Sequence, residues 1–175
     1  MAYECFEVSI ENNIAHVILN RPEQRNAMNM AFWKELPEII EDIDANARAR
    51  VIVISSRGPH FSAGLDLTMF GSANDSTQTQ SEEKAKQRGA ASYDNILFMQ
   101  RSFNCLEECR LPVLVAIQGG AIGGGVDLSV ACDMRYATED AYLIIQEINI
   151  ALTADVARRA AVSPSGWVTI AGTPS

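Results

Sequence analysis

The residues from Gln118 to Leu128 read Gln-Gly-Gly-Ala-Ile-Gly-Gly-Gly-Val-Asp-Leu. They follow a short apolar run, Val113 to Ile117, with the pattern of a buried strand, and they lead into an apolar helix-like segment, Val126 to Ala131. Glycines between a strand and a helix let backbone N–H groups come close to a ligand with no side chain in between. A helix N-terminus adds unsatisfied N–H donors and the positive end of a dipole. Such a turn suits a developing negative charge, and Asp127 sets a carboxylate in the first turn of the same helix. The same residues also suit a plain tight turn with close helix–strand packing. A dinucleotide fingerprint is a poor match, because the cluster lies late in the chain and its acidic residue sits inside the helix. A Walker-type phosphate loop is excluded, since no Gly-Lys-Ser/Thr follows.

The elements that must position this turn are legible from periodicity. Cys5 to Ile10 and Ile14 to Leu19 flank Glu11-Asn12-Asn13, a hairpin pattern. Asn29 is placed to cap a helix from Met30 to about Asn46, with Phe32, Leu36, Ile39, Ile40 and Ile43 on one face. Pro37 inside it predicts a kink or a later start. Val51 to Ile54 is a β-branched run expected at the centre of a sheet. Ser55 to Leu67 begins as a loop and ends in a short helix, and Gly71 to Gly89 reads as a mobile surface insertion, partly helical toward its end. Tyr93 to Glu108 predicts a helix, and Met134 to Ala137 and Tyr142 to Ile145 predict short strands. Strands, crossover helices and strands in alternation define an α/β domain.

At 175 residues the chain is one domain with enough length for a real core. Its net charge of -8 argues against a nucleic-acid or anionic-membrane surface. No apolar run is long enough to span a bilayer, and the N-terminus shows no secretory pattern. Cys5, Cys105, Cys109 and Cys132 contain no Cys-x-x-Cys pair, and neither His16 nor His60 lies near them in sequence. The expectation is buried, reduced thiols in an intracellular protein and no metal site.

Three further motifs join the glycine cluster in order. They are Leu19-Asn20-Arg21-Pro22 with Asn26-Ala27-Met28, Phe61-Ser62-Ala63-Gly64-Leu65-Asp66, and Ala131-Cys132-Asp133-Met134-Arg135-Tyr136-Ala137. Together the set resembles the enoyl-CoA hydratase/isomerase (crotonase) superfamily over roughly residues 3 to 156. The resemblance implies a crotonase-like spiral of ββα units that binds an acyl-coenzyme A thioester. It implies an oxyanion hole made by the N–H groups of Leu65 and Gly124, and a coenzyme A contact at Ala63, Gly64, Leu65 and Asp66. Fixed N–H donors stabilise the enolate-like charge of chemistry beside a thioester, each worth about 3–4 kcal/mol of barrier.

Within the superfamily, Asp127, Glu147 and Asp155 at this spacing resemble the Δ3,5-Δ2,4-dienoyl-CoA isomerase branch. By that resemblance Asp155 takes the proton next to the thioester, Glu147 delivers one at the remote carbon, and Asp127 lies between them in a stabilising role. Two carboxyl groups with separated pKa values suit such a transfer. Asp66 and Asp133 suit capping roles. The alternatives are hydration or another crotonase reaction, and an inactive fragment that binds acyl-CoA or a full-length partner. No separate cofactor is implied, because coenzyme A belongs to the substrate. The resemblance implies a homotrimer or hexamer and a mitochondrial or peroxisomal setting, and no targeting signal is visible here. After Val156 the family pattern is lost. Residues 157–175 are therefore expected to be a poorly ordered, non-family tail, with the C-terminal helical region absent and its apolar docking surface exposed.

Overall fold

The computed structural model describes residues 3–70, 82–145 and 167–170. Strands β1 (Phe6–Glu11) and β2 (Ile14–Leu19) form the expected hairpin, pairing Glu11 with Ile14 at its tip. Asn12 and Asn13 both take positive φ, 51° and 65°, as a two-residue turn matched to strand twist requires. Helix α1 (Met30–Ala45) then returns the chain to β3 (Val51–Ser56), parallel to β2. Helix α2 (Glu82–Glu108) leads to β4 (Val113–Ile117), parallel to β3.

The next turn of chain is shorter. Strand β5 (Gly120–Ile122), helix α3 (Gly124–Ala131), β6 (Met134–Thr138) and β7 (Tyr142–Ile144) follow one another closely. β4 pairs parallel with β6, and β5 pairs parallel with β7. Ser62, which follows β3, makes a parallel bridge to Ala121 in β5. Successive passes of the chain thus stack one strand spacing apart in two sheets at once, which is a spiral of ββα units. The main sheet has the order β1-β2-β3-β4-β6-β8, with β8 at Trp167–Ile170 parallel to β6. β8 falls inside the stretch 157–175 expected as a tail; the rest of that stretch lies outside the described residues.

The core is where α1 and α2 cover the sheet. Phe32, Leu36, Ile39, Ile40 and Ile43 of α1 are all buried, on the face their spacing predicts, and Trp33 is buried with them. Aromatic rings run from Phe6 in β1 through Phe32 and Trp33 to Phe103 in α2, with centroids 5.1, 5.2 and 5.4 Å apart. The Asn29 side chain caps α1 by accepting the Phe32 N–H at 3.0 Å, so the helix starts at Met30 despite Pro37. Pro37 has no N–H for the Trp33 carbonyl. The buried Ser102 hydroxyl of α2 donates to that carbonyl instead, at 2.7 Å.

Helix α2 begins at Glu82, well before the Tyr93 expected from periodicity. Residues 82–92 are mostly Glu, Lys, Gln, Arg and Ala, good helix formers with no apolar period. Residues 71–81, most of the expected insertion, lie outside the described residues. All four cysteines are free: Cys5, Cys105 and Cys132 are buried and Cys109 is half-buried. Burial, helped by Glu35, pushes the Cys5 thiol up to about 12, so it stays a thiol that donates to Asn29 Oδ1 at 3.1 Å. Burial likewise pushes the other three thiols up, which suits packing groups and not nucleophiles.

Candidate active site

Two turns meet where the spiral's passes stack. The first is Ala63–Asp66, on the chain leaving β3. Met28 donates its N–H to the Gly64 carbonyl at 2.8 Å, and Asp66 donates its own to the Met28 carbonyl at 3.0 Å. Ala63 N–H goes to the Arg25 carbonyl at 2.8 Å, and Gly64 N–H to Ser62 Oγ at 3.1 Å. Leu65 N–H lies between rungs of the Met28 bridge, on the side turned away from it. Among the described residues no acceptor meets it.

The second turn is the glycine cluster. Gly123 caps α3 at φ 51° and ψ -118°, a conformation that excludes side chains. Its carbonyl takes the N–H groups of Val126 and Asp127, at 2.7 and 3.2 Å. The N–H of Gly124 is one of the orphan donors that open a helix, and it too meets no acceptor among the described residues. The two turns touch. A Cβ built on Gly64 would stand 3.1 Å from Gly124 N and 2.5 Å from the Ile122 carbonyl oxygen. Only a glycine, here at φ 78°, permits that approach. The donors predicted from the motifs are therefore on adjoining turns, with both turns buried or half-buried.

Asp127 is half-buried in the first turn of α3, next to this junction in sequence. Glu147 and Asp155 lie outside the described residues. Asp66 accepts from Thr68 through its N–H and its hydroxyl, at 3.1 and 2.6 Å, and pairs with Arg21 at 3.4 Å. The Thr68 hydroxyl, then its N–H and Arg21, hold the Asp66 carboxyl below the usual carboxylate range against the cost of burial. It caps the 3-10 turn Leu67–Phe70. Asp133 instead closes the start of β4, accepting the Val113 N–H at 2.9 Å.

Residues that sequence reasoning missed hold the first turn in place. Buried Asn26, at φ 53°, accepts the Arg21 N–H and donates to the carbonyls of Arg57 and His60. Buried Ser62 donates to the Asn26 carbonyl at 2.8 Å while accepting from Gly64. The only signal was their membership in the quoted motifs, because their partners are distant carbonyls. Among the described residues no cluster of three His, Cys, Asp or Glu side chains could hold a metal ion. No helix there is long and apolar enough to cross a membrane.

A spiral of stacked ββα units is the crotonase fold. The family model for enoyl-CoA hydratase/isomerase matches residues 9–163, and the chain belongs to that family. It is 44% identical over 157 residues to "Delta(3,5)-Delta(2,4)-dienoyl-CoA isomerase, mitochondrial" of Rattus norvegicus, covering 88% of this chain and 46% of that protein. It is 37% identical over 158 residues to the peroxisomal Delta(3,5)-Delta(2,4)-dienoyl-CoA isomerase of Arabidopsis thaliana, covering 89% of this chain and 56% of that one. A Thermobifida fusca YX protein crystallised with acetoacetyl-CoA superposes with a TM-score of 0.73 at 30% identity, over 87% of this chain and 58% of that chain. The chain spans about half the length of the curated relatives it matches.

Proposed function

We propose that residues 1–156 form an acyl-CoA-binding core whose reaction shifts the double bonds of a 3,5-dienoyl-CoA to a 2,4-dienoyl-CoA. The observation that carries this reading is the junction of the Gly64–Leu65 turn with the N-terminus of α3, where two N–H donors meet no acceptor among the described residues. A thioester oxygen seated between Leu65 and Gly124 gains charge when a proton leaves the adjacent carbon, and preorganised donors stabilise that charge. Asp155 takes this proton, the electron pair spreads along the conjugated chain, and Glu147 returns a proton at the remote carbon. Asp127, on α3 beside Gly124, orients or stabilises the dienolate. Ala63 to Asp66 also contact coenzyme A, which travels with the substrate, so no separate cofactor enters. The dienoyl-CoA isomerase names of the relatives support this choice of reaction. They also favour a mitochondrial or peroxisomal setting, and the family resemblance favours a homotrimer or hexamer.

The family description joins hydratases to isomerases, which favours hydration of a 2-enoyl-CoA as the competing reaction. The third reading is binding of acyl-CoA, or of a full-length partner, without turnover.

The test begins with calorimetry on the chain and a medium-chain acyl-CoA. Binding is expected, and Gly124→Pro, which deletes the donor N–H, should abolish the thioester's contribution. Folded protein that ignores millimolar ligand would sink the reading. Turnover is followed by the absorbance of the new conjugated diene. If it occurs, Asp155→Asn and Glu147→Gln should each remove most of the rate and spare binding. Efficient hydration that is indifferent to Asp155→Asn would assign the competing reaction, and binding with no turnover would assign the third reading.

A further inference from the structure

His60, Gly120 and Tyr142 form a cluster with no part in the reaction above. In the parallel bridge between Ser62 and Ala121, Ser62 N–H donates to the Gly120 carbonyl at 3.1 Å and Ile122 N–H to the Ser62 carbonyl at 2.9 Å. The next rung of a regular parallel ladder would carry the Gly120 N–H to the carbonyl of residue 60. That carbonyl is already engaged, accepting Asn26 Nδ2 at 3.1 Å and Ser56 Oγ at 3.2 Å. The His60 side chain replaces it: Nδ1 accepts the Gly120 N–H at 3.1 Å. An imidazole nitrogen accepts only when unprotonated, which assigns the ring proton to Nε2.

Tyr142 of β7 closes the other side of Gly120. A Cβ on Gly120 would lie 2.8 Å from the Tyr142 hydroxyl oxygen. The Tyr142 and His60 rings meet edge to face, centroids 6.3 Å apart at 73°. Gly120 opens β5, a strand of 3 residues that runs straight into Gly123 and Gly124. So few rungs hold β5 to the preceding pass that the one made by His60 is a large share of what sets its height.

We propose that His60 is a positioning residue: by holding the Gly120 N–H on Nδ1 it fixes β5, and through β5 the Gly124 N–H relative to that of Leu65. This rests on the oxyanion-hole reading given above. A donor displaced by about 1 Å is enough to cost catalysis heavily, so a rung at the base of a short strand matters beyond its own strength.

The experiment compares His60→Leu, which keeps bulk and loses the acceptor, with His60→Asn, whose Oδ1 can stand near the position of Nδ1. Amide hydrogen exchange at Gly120 is read by NMR on the 175-residue chain. The absorbance of bound 2,4-hexadienoyl-CoA, which shifts to the red when donors polarise its carbonyl, is read alongside affinity for free coenzyme A. In His60→Leu, Gly120 exchange should rise roughly tenfold, the worth of one neutral hydrogen bond. Most of the red shift should vanish, and affinity for free coenzyme A, which has no thioester carbonyl, should stay. His60→Asn should restore both signals. The inference is overturned if His60→Leu leaves either signal at its wild-type value, if His60→Asn behaves like His60→Leu, or if free coenzyme A binding falls with the red shift. A wild-type chain that binds the dienoyl-CoA without a red shift overturns the oxyanion-hole reading and this inference together. Failure in the variants alone overturns only the role of His60.

Discussion

At the scale of single residues, Gly64 meets two demands at once. Its φ of 78° disfavours any Cβ, and the Ile122 carbonyl oxygen 2.5 Å from the place of that Cβ is backbone that cannot swing aside. Gly64→Ala should cost at least about 1–2 kcal/mol from the left-handed conformation alone, read by urea denaturation. It should weaken acyl-CoA binding further, because relief of the clash pushes the two donor turns apart. A variant with wild-type stability and affinity would mean that the turns do not need to touch. Sequence could single out Gly64, since the motif around it was visible. It could not single out Ser62 or Asn26, whose hydrogen bonds close only when carbonyls far along the chain arrive. For Asp66 and Asp133 the expectation was capping. Asp66 does cap a 3-10 turn, whereas Asp133 serves a strand.

Among elements, α1 and α2 show how a local defect is answered from outside. The spacing of α1's apolar residues and its Asn29 cap were plain in the sequence, and so was the defect at Pro37. The answer to that defect, Ser102, sits on a different helix and carries no sequence signature. Ser102→Ala would leave the Trp33 carbonyl buried without its donor, a loss of about 1–3 kcal/mol. Thermal or urea unfolding measures it, and a change within ~0.5 kcal/mol, the range of ordinary surface substitutions, would show that water or the helix itself satisfies that carbonyl. β5 was hidden for a related reason. Of its three residues only Ile122 favours a strand, and the stretch becomes one because Ser62 and β7 flank it.

At the scale of the whole molecule, exposed apolar side chains gather at the end of the spiral's last described pass, in and just after β7. Tyr142, Leu143, Ile144 and Ile145 are 45%, 39%, 36% and 46% exposed, and Met134 is 49% exposed. Exposed apolar side chains gathered on one short stretch make it a candidate association surface. Sedimentation should show association that grows with protein concentration, and Leu143→Lys with Ile145→Glu should shift the chain toward monomer. A wild-type chain that stays monomeric at every concentration tested would contradict this.

Local chemistry was written in the chain itself: turn residues, an N-cap, helical and alternating periods, and glycines where side chains are forbidden all act over a few residues. They determined the hairpin, the existence of α1, α2 and α3, the α/β class and the identity of the glycine turn. Tertiary structure alone decided that the Gly64 turn and the start of α3 touch, because that depends on how successive passes of the spiral stack. It also decided that His60 and Ser102 complete hydrogen bonds which their neighbours in sequence cannot make. A pattern along the chain records what each residue needs; only the packed molecule brings up the partner that supplies it.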